Sequence, residues 1–387
     1  MAELFGMSLW FSVSAVVPAL QREWGLAGST TAWLTLAVQF GFVAGTLASA
    51  LGNLPDILPT RHVFAASAFL GAASSASFGL FARGPALGIA LRFATGFFLA
   101  GVYPPGMKIL ATWFRRGRGM ALGIFIGALT LGKASPYLIN ALAGTSWRID
   151  VLLVSGLAAV GGLIVLLLVE DGPRSPPTAR FDLGQIGQVF RNRGVRLANF
   201  GYFGHMWELY AMWTWAPAMI RASLAARGTP MALAEAGSFL VLGSGAVGCV
   251  AAGLAADRFG RTLVTSWAMA ISGTCCVVIG FLFHASPGIL LAVAAVWGAS
   301  VVADSAQFSA CVTELGDPPY MGTALTIQTC VGFLLTTVPI GLVSILVGLV
   351  GWRWAFAVLS PGPAFGVASM LRLRSLPEAA RIAQGRR

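Results

Sequence analysis

The sequence predicts an all-α membrane protein with about twelve transmembrane helices in two pseudo-symmetric six-helix bundles. Three observations predict this. Of 387 residues, 57% are hydrophobic and only 10% charged, against roughly 25% charged in a soluble domain, so too little polar surface exists to cover a soluble core. Apolar runs of spanning length recur along the whole chain, separated by short connectors carrying Gly, Pro, Arg or Asp. The second half also repeats the first.

A spanning helix needs about 20 mainly apolar residues. On that basis the first set of spans lies near 1–20, 30–52, 63–82, 86–110, 119–143 and 150–170. The second set lies near 197–220, 233–255, 262–284, 288–313, 321–347 and 352–371. Twelve Trp, 25 Phe and 48 Gly suit such a bundle, because aromatics anchor at interfaces and small residues let helices approach. The organisation is therefore an N-terminal bundle over 1–170, a linker over 171–196, a C-terminal bundle over 197–372 and a basic tail over 373–387. In the linker, Leu183, Ile186, Val189 and Phe190 fall at helical spacing before Arg191 and Arg193, which predicts a short helix lying on the membrane surface.

The net charge of +11 does not signal nucleic-acid binding, because the basic residues are scattered singly among apolar runs. They set orientation instead. With both termini cytoplasmic, sixteen of the 25 Lys and Arg residues fall inside, six fall in outer connectors, and Arg92, Lys108 and Lys133 fall within spans. The five cysteines (Cys249, Cys275, Cys276, Cys311, Cys330) all sit in apolar stretches without metal-ligand spacing, so no metal or cofactor is expected.

The halves align in order. Glu3, Met7 and Trp10 match Glu208, Met212 and Trp215; Gly52 and Asp56 match Gly253 and Asp257. Gly119, Ala121, Leu122 and Pro136 match Gly322, Ala324, Leu325 and Pro339, and Trp147-Arg148 matches Trp352-Arg353. The offsets are 205, 201, 203 and 205, so one register with small indels serves the whole length. Two similar bundles can rock around a central site.

The strongest local motif is GLAADRFGR at 253–261. Asp257 with Arg258 and Arg261 sits on a turn bounded by Gly253 and Gly260, where a carboxylate can lock onto a neighbouring helix end. The first-half copy, GNLPDILPTR at 52–61, keeps Gly52, Asp56 and Arg61 but has Pro in the turn. This pattern between the second and third helices of a half resembles the signature loop of the major facilitator superfamily. Arg92-Phe-Ala-Thr-Gly96 resembles the family's helix-four pattern, and TWFRRGRGMALG at 112–123 is similar to the basic loop of its organic-anion and nitrate-type branches. The general look is of the bacterial nitrate/nitrite-porter-like or cyanate-like branch. Nitrate itself is disfavoured, since span two has Gln39 and span eight has no Arg where those porters place binding arginines.

Charges inside a membrane are costly and mark function. The resemblance implies that Glu3, Arg92, Lys133, Glu208 and Asp304 converge on a central cavity, together with His205, Gln307, Tyr210, Trp10, Trp215, Gln39 and Gln328. His205 lies one turn from Glu208 and Gln307 three residues from Asp304; Trp215, seven residues on from Glu208, is preferred to Trp213. Glu3 matches Glu208 in depth only if span one extends upstream of Met1, so the natural start is expected to lie upstream; otherwise Glu3 is a surface charge at a helix start.

No G-x-x-x-x-G-K-[ST], H-E-x-x-H or G-x-S-x-G motif occurs, which disfavours an ATP-driven pump or a membrane hydrolase and predicts no enzyme. The resemblance implies a secondary transporter of a small anionic or zwitterionic organic solute working by alternating access. The carboxylates and His205 suggest proton coupling. Expected partners are solute, protons and the lipid bilayer, in a monomer of the bacterial inner membrane. The alternatives are a non-transporting assembly factor or sensor of a membrane complex, and a drug exporter.

Overall fold

The computed structural model describes residues 1–26, 28–114, 118–143, 146–172, 184, 186–317 and 321–386. Arg174, Arg180, Leu183 and the 115–116 arginine pair lie outside the described residues, as does the side chain of Asp56. The N-terminal bundle comprises α1 (Ala2–Met7), α2 (Ser12–Trp24), α3 (Gly28–Leu51), the short α4 (Leu54–Ile57), α5 (Thr60–Phe81), α6 (Pro85–Leu99), α7 (Tyr103–Trp113), α8 (Arg118–Ala143) and α9 (Trp147–Leu168). After α10 (Ile186–Arg191), the C-terminal bundle comprises α11 (Arg193–Ala225), α12 (Met231–Phe259), α13 (Arg261–Val278), α14 (Pro287–Ala303), α15 (Ser305–Leu315), α16 (Met321–Val350), α17 (Trp352–Ala355) and α18 (Pro361–Arg374).

By length and composition, eleven spans among the described residues are apolar enough to cross a membrane, with α1–α2, α6–α7 and α14–α15 each joining into one. The expected seventh span, α11, is not among them. It is 33 residues long, but Asn199, His205, Glu208 and several Trp and Tyr residues lower its apolarity. Packing against α12, α14, α15, α16 and α18 buries those groups inside the protein, where polarity can be matched by other side chains.

Each bundle is held by its own glycines. A Cβ at Gly45 would lie 2.2 Å from the Phe97 carbonyl oxygen, and one at Gly96 would lie 2.1 Å from that of Val38, so α3 and α6 touch backbone to backbone. The same device recurs between α12 and α14, where Gly248 meets the Ala299 carbonyl (1.9 Å) and Gly298 meets that of Val241 (1.8 Å). All four positions are related by offsets of 202 or 203 residues, so the repeat read in the sequence is a repeat of packing. The halves meet along two seams, α8 on α12 and α3 on α16.

Two matched spans break at corresponding places, α6–α7 at residues 100–102 and α14–α15 at Asp304. The first span breaks at residues 8–11, but its counterpart α11 is continuous. The tail folds back from Pro377, burying Ala379 and Ile382 completely.

Adding a branched side chain at either interlock should be as damaging in one half as in the other. Gly96→Val and Gly298→Val are each expected to lower the detergent unfolding midpoint or abolish folded protein, since overpacking costs about 1–3 kcal/mol or more. Gly341→Val, with nothing within 4 Å of its Cβ, should leave the midpoint unchanged in the same thermal scan.

Candidate functional site

The break in the first span frees backbone carbonyls at fully buried residues, where each unsatisfied group costs several kcal/mol. Arg92, fully buried on α6, answers them. Its Nη1 donates to the Leu9 carbonyl (3.0 Å) and Ser12 Oγ (3.2 Å), and its Nη2 donates to the Trp10 carbonyl. Arg92 therefore holds the shape of its own bundle and is not an open cation at the centre.

The pinned break turns the Trp10 ring toward the other half, where it packs against Tyr210 and Phe333. Beneath it lies Lys133 of α8, 1% exposed. The ammonium stands 4.1 Å from the Trp10 ring centroid, 4.5 Å from that of Tyr210 and 4.8 Å from that of Trp213, and it donates to the Tyr210 hydroxyl. A desolvated cation–π contact of this kind stabilises by about 2 kcal/mol. Among the described residues no carboxylate lies at ion-pair distance from Lys133. Glu3 interacts with it electrostatically but lies beyond contact, buried, with no hydrogen-bond partner for either carboxylate oxygen. The indole nitrogens of Trp10 and Trp213 are likewise buried without partners. Lys133, Trp10, Tyr210 and Trp213 line a cavity of about 30 Å3 between the halves, completed by Met7, Phe42, Tyr103, Met206, Leu209, Phe333 and others, whereas Glu3 is not part of its lining. That volume holds about one water.

The remaining predicted residues do not reach this cavity. On α11, Met206, Leu209, Tyr210 and Trp213 face it, which is one side of a helix by their spacing. Glu208 and His205 lie on another side, inside the C-terminal bundle. Glu208 accepts from Trp297 Nε1 (2.6 Å), Ser272 Oγ (2.8 Å) and Cys276 Sγ (3.1 Å). His205 Nδ1 sits 2.8 Å from Asp304 Oδ1 at the α14–α15 break, and its Nε2 has no partner. Trp213, not the preferred Trp215, is the cage residue; Trp215 donates instead to the Ile340 carbonyl (2.9 Å). Gln328 donates to Asn199 (3.0 Å) and accepts from Ser309 (3.0 Å), tying α16 to α11 and α15. Gln39 is fully buried, and neither end of its amide has a partner.

Gln307 belongs to the second-half turn. It accepts from Arg261 Nη1 (2.7 Å), while the same guanidinium clamps Glu314 at 2.7 and 3.0 Å. Gly260 takes φ 93° to make that turn, and Gly253 is buried in α12. Arg386 of the tail donates to the Asp257 carbonyl, and the Ala383 amide donates to Glu314 (2.9 Å). In the first half, among the described residues, the Arg61 amide donates to Asp171 (3.0 Å) and its Nη1 makes a long contact to the Val169 carbonyl (3.5 Å); Gly52 is exposed.

Glu314, Trp297, Ser272 and Cys276 were not picked out by sequence reasoning. The repeat gave no direct signal for Trp297, because the fourth spans align at an offset of 202 (Gly96 with Gly298), which pairs Arg92 with Ala294, one turn before Trp297. Arg92 and Trp297 both donate from the fourth span of a half to its first. The Major Facilitator Superfamily model matches residues 2–338, and no curated protein matches the chain.

Removing the Arg92 guanidinium takes the side-chain donor from the Trp10 carbonyl and one of two from the Leu9 carbonyl, which Ser12 Oγ also reaches at 2.9 Å. Arg92→Met is expected to cost ~3 kcal/mol or more, because bonds to a charged donor contribute about 1.5–3 kcal/mol each. Little folded protein should survive in size-exclusion chromatography, whereas Lys133→Met, which gives up the hydroxyl bond and the ring contacts of the ammonium but also removes a buried charge and keeps apolar packing against the same rings, should elute as wild type does.

Proposed function

The chain belongs to the Major Facilitator Superfamily, and on that premise we propose that it is a proton-coupled secondary transporter of a small organic anion or zwitterion. We place it in the bacterial inner membrane with both termini cytoplasmic, as the arginine distribution favours. The observation that carries the solute class is Lys133. Its ammonium lies between the halves, no carboxylate among the described residues is at ion-pair distance, and two buried indole N–H donors without partners among those residues border the same cavity. That set offers charge and donors to an incoming carboxylate or similar anion, which favours charge-assisted hydrogen bonds.

The cavity is too small for an organic solute in the closed state, so loading requires the halves to part at one end. A solute anion then compensates the Lys133 charge and draws rings from both halves around it. Closure follows, and opening along the opposite ends of the α8–α12 and α3–α16 seams releases the solute. Because Trp10 belongs to one half and Tyr210 and Trp213 to the other, occupancy is felt by both bundles at once.

Proton coupling is assigned to Glu208, His205 and Asp304. They are buried together in the C-terminal bundle beside α11, whose other side lines the cavity. Glu208 is held by the neutral donors of Trp297, Ser272 and Cys276, so a proton can come and go there without breaking an ion pair. A change of protonation on one side of α11 alters the helix that presents Tyr210 and Trp213 on the other. The Arg261–Glu314 clamp keeps the ends of α13 and α15 together during this motion.

Purified protein in liposomes, screened against small organic anions with and without a pH gradient, tests the reading. Accumulation that collapses with the gradient is expected; absence of flux for every anion tried would contradict it and favour an assembly role. In the same assay Glu208→Gln should transport more slowly, with a nearly flat pH profile. A wild-type profile in that variant would move the proton site elsewhere.

A further inference from the structure

A second feature of the C-terminal bundle lies away from the inter-half cavity. Helices α12 and α13 each pack along α14 but touch one another far less. The result is an open cleft of about 650 Å3. Gly248 and Ala251 of α12 and Ala299 of α14 form its shallow floor, and Phe259, Trp267 and Ile271 form its walls. Trp267 is 64% exposed.

The cleft has a definite length and a charged end. From Gly248 to Phe259 the helix rises about 16 Å at 1.5 Å per residue, which is half of a ~30 Å hydrocarbon core. It is therefore one leaflet deep. A helix from a second copy of the chain would need a seam along the whole core, and the cleft stops halfway. At its outer end, where the chain turns at Gly260, the exposed Arg258 guanidinium stands 5.2 Å from the Phe259 ring centroid. Arg386 adds positive charge there through the Asp257 carbonyl. Arg261, in contrast, is occupied by Glu314.

We propose that this cleft seats one acyl chain of an anionic phospholipid, with the lipid phosphate at Arg258. Small residues on the floor let the chain lie close to the helix backbones, where each buried methylene contributes about 0.8 kcal/mol. Arg258 supplies the headgroup preference, since a basic side chain near the surface is worth about 1 kcal/mol toward anionic lipid.

Trp267 provides the readout. The protein is reconstituted in phosphatidylcholine vesicles containing a small fraction of either phosphatidylglycerol or phosphatidylcholine with brominated acyl chains. Quenching at Trp267 is the difference between wild type and Trp267→Phe. Brominated phosphatidylglycerol should be preferred about fivefold, the factor corresponding to ~1 kcal/mol. The preference should vanish in Arg258→Gln, and Ala251→Phe, which fills the floor, should reduce quenching by both lipids. Equal quenching by the two lipids, no quenching at Trp267, a preference retained in Arg258→Gln, or unchanged quenching in Ala251→Phe would each overturn the proposal. Loss of quenching on formation of a dimer would assign the cleft to a second copy instead.

Discussion

A cation buried in hydrocarbon must be answered by the protein itself, and at Lys133 the answer comes from aromatic rings of both bundles. Trp10 supplies one wall, and Tyr210 and Trp213 supply the others. The break of the first span at residues 8–11 presents the Trp10 ring, and Arg92 supports that break by donating to the Leu9 and Trp10 carbonyls, with Ser12 Oγ also on Leu9. Two buried basic residues thus have unlike tasks. One holds a bundle in shape, and the other joins the two bundles at their centre.

The contrast between the inside of a bundle and the seam suits motion of the halves as units. Within each bundle, glycine positions stand 1.8–2.2 Å, measured to an added Cβ, from a neighbouring carbonyl oxygen. Such backbone contacts cannot slide without collision. Along the α8–α12 seam the corresponding figures are 2.9 Å at Gly123 and 3.2 Å at Gly127. The seam is closely packed but less interlocked, and its apolar surfaces can part and re-form while the bundles stay intact.

The all-helical architecture, eleven of the twelve expected spans among the described residues, and the register that recurs in the glycine contacts were legible because apolar periodicity and length are properties of short stretches of chain. The second-half turn was legible for the same reason: a positive φ at Gly260 and a tight Asp257–Arg261 spacing are local. Which side of α11 a residue faces is not local. Glu208 and Tyr210 are two residues apart, yet one turns into its own bundle and the other to the seam, a division set by where α13, α14 and α8 pack. Trp215 and Trp213 changed places for that reason. Gln307 was paired by spacing with Asp304, but the fold carries it to Arg261, because the span breaks at Asp304 itself. Arg92 looked like a substrate cation until the irregular backbone of the first span, invisible in an apolar run, gave it carbonyls to hold.

The central claim is that the Lys133 ammonium binds the transported solute. The most direct measurement is the affinity for that solute, by isothermal titration calorimetry on wild type and on Lys133→Met in detergent. Loss of a charge-assisted bond predicts at least a tenfold weaker Kd, about 1.4 kcal/mol, with the variant folded as wild type is. An unchanged Kd would contradict the account.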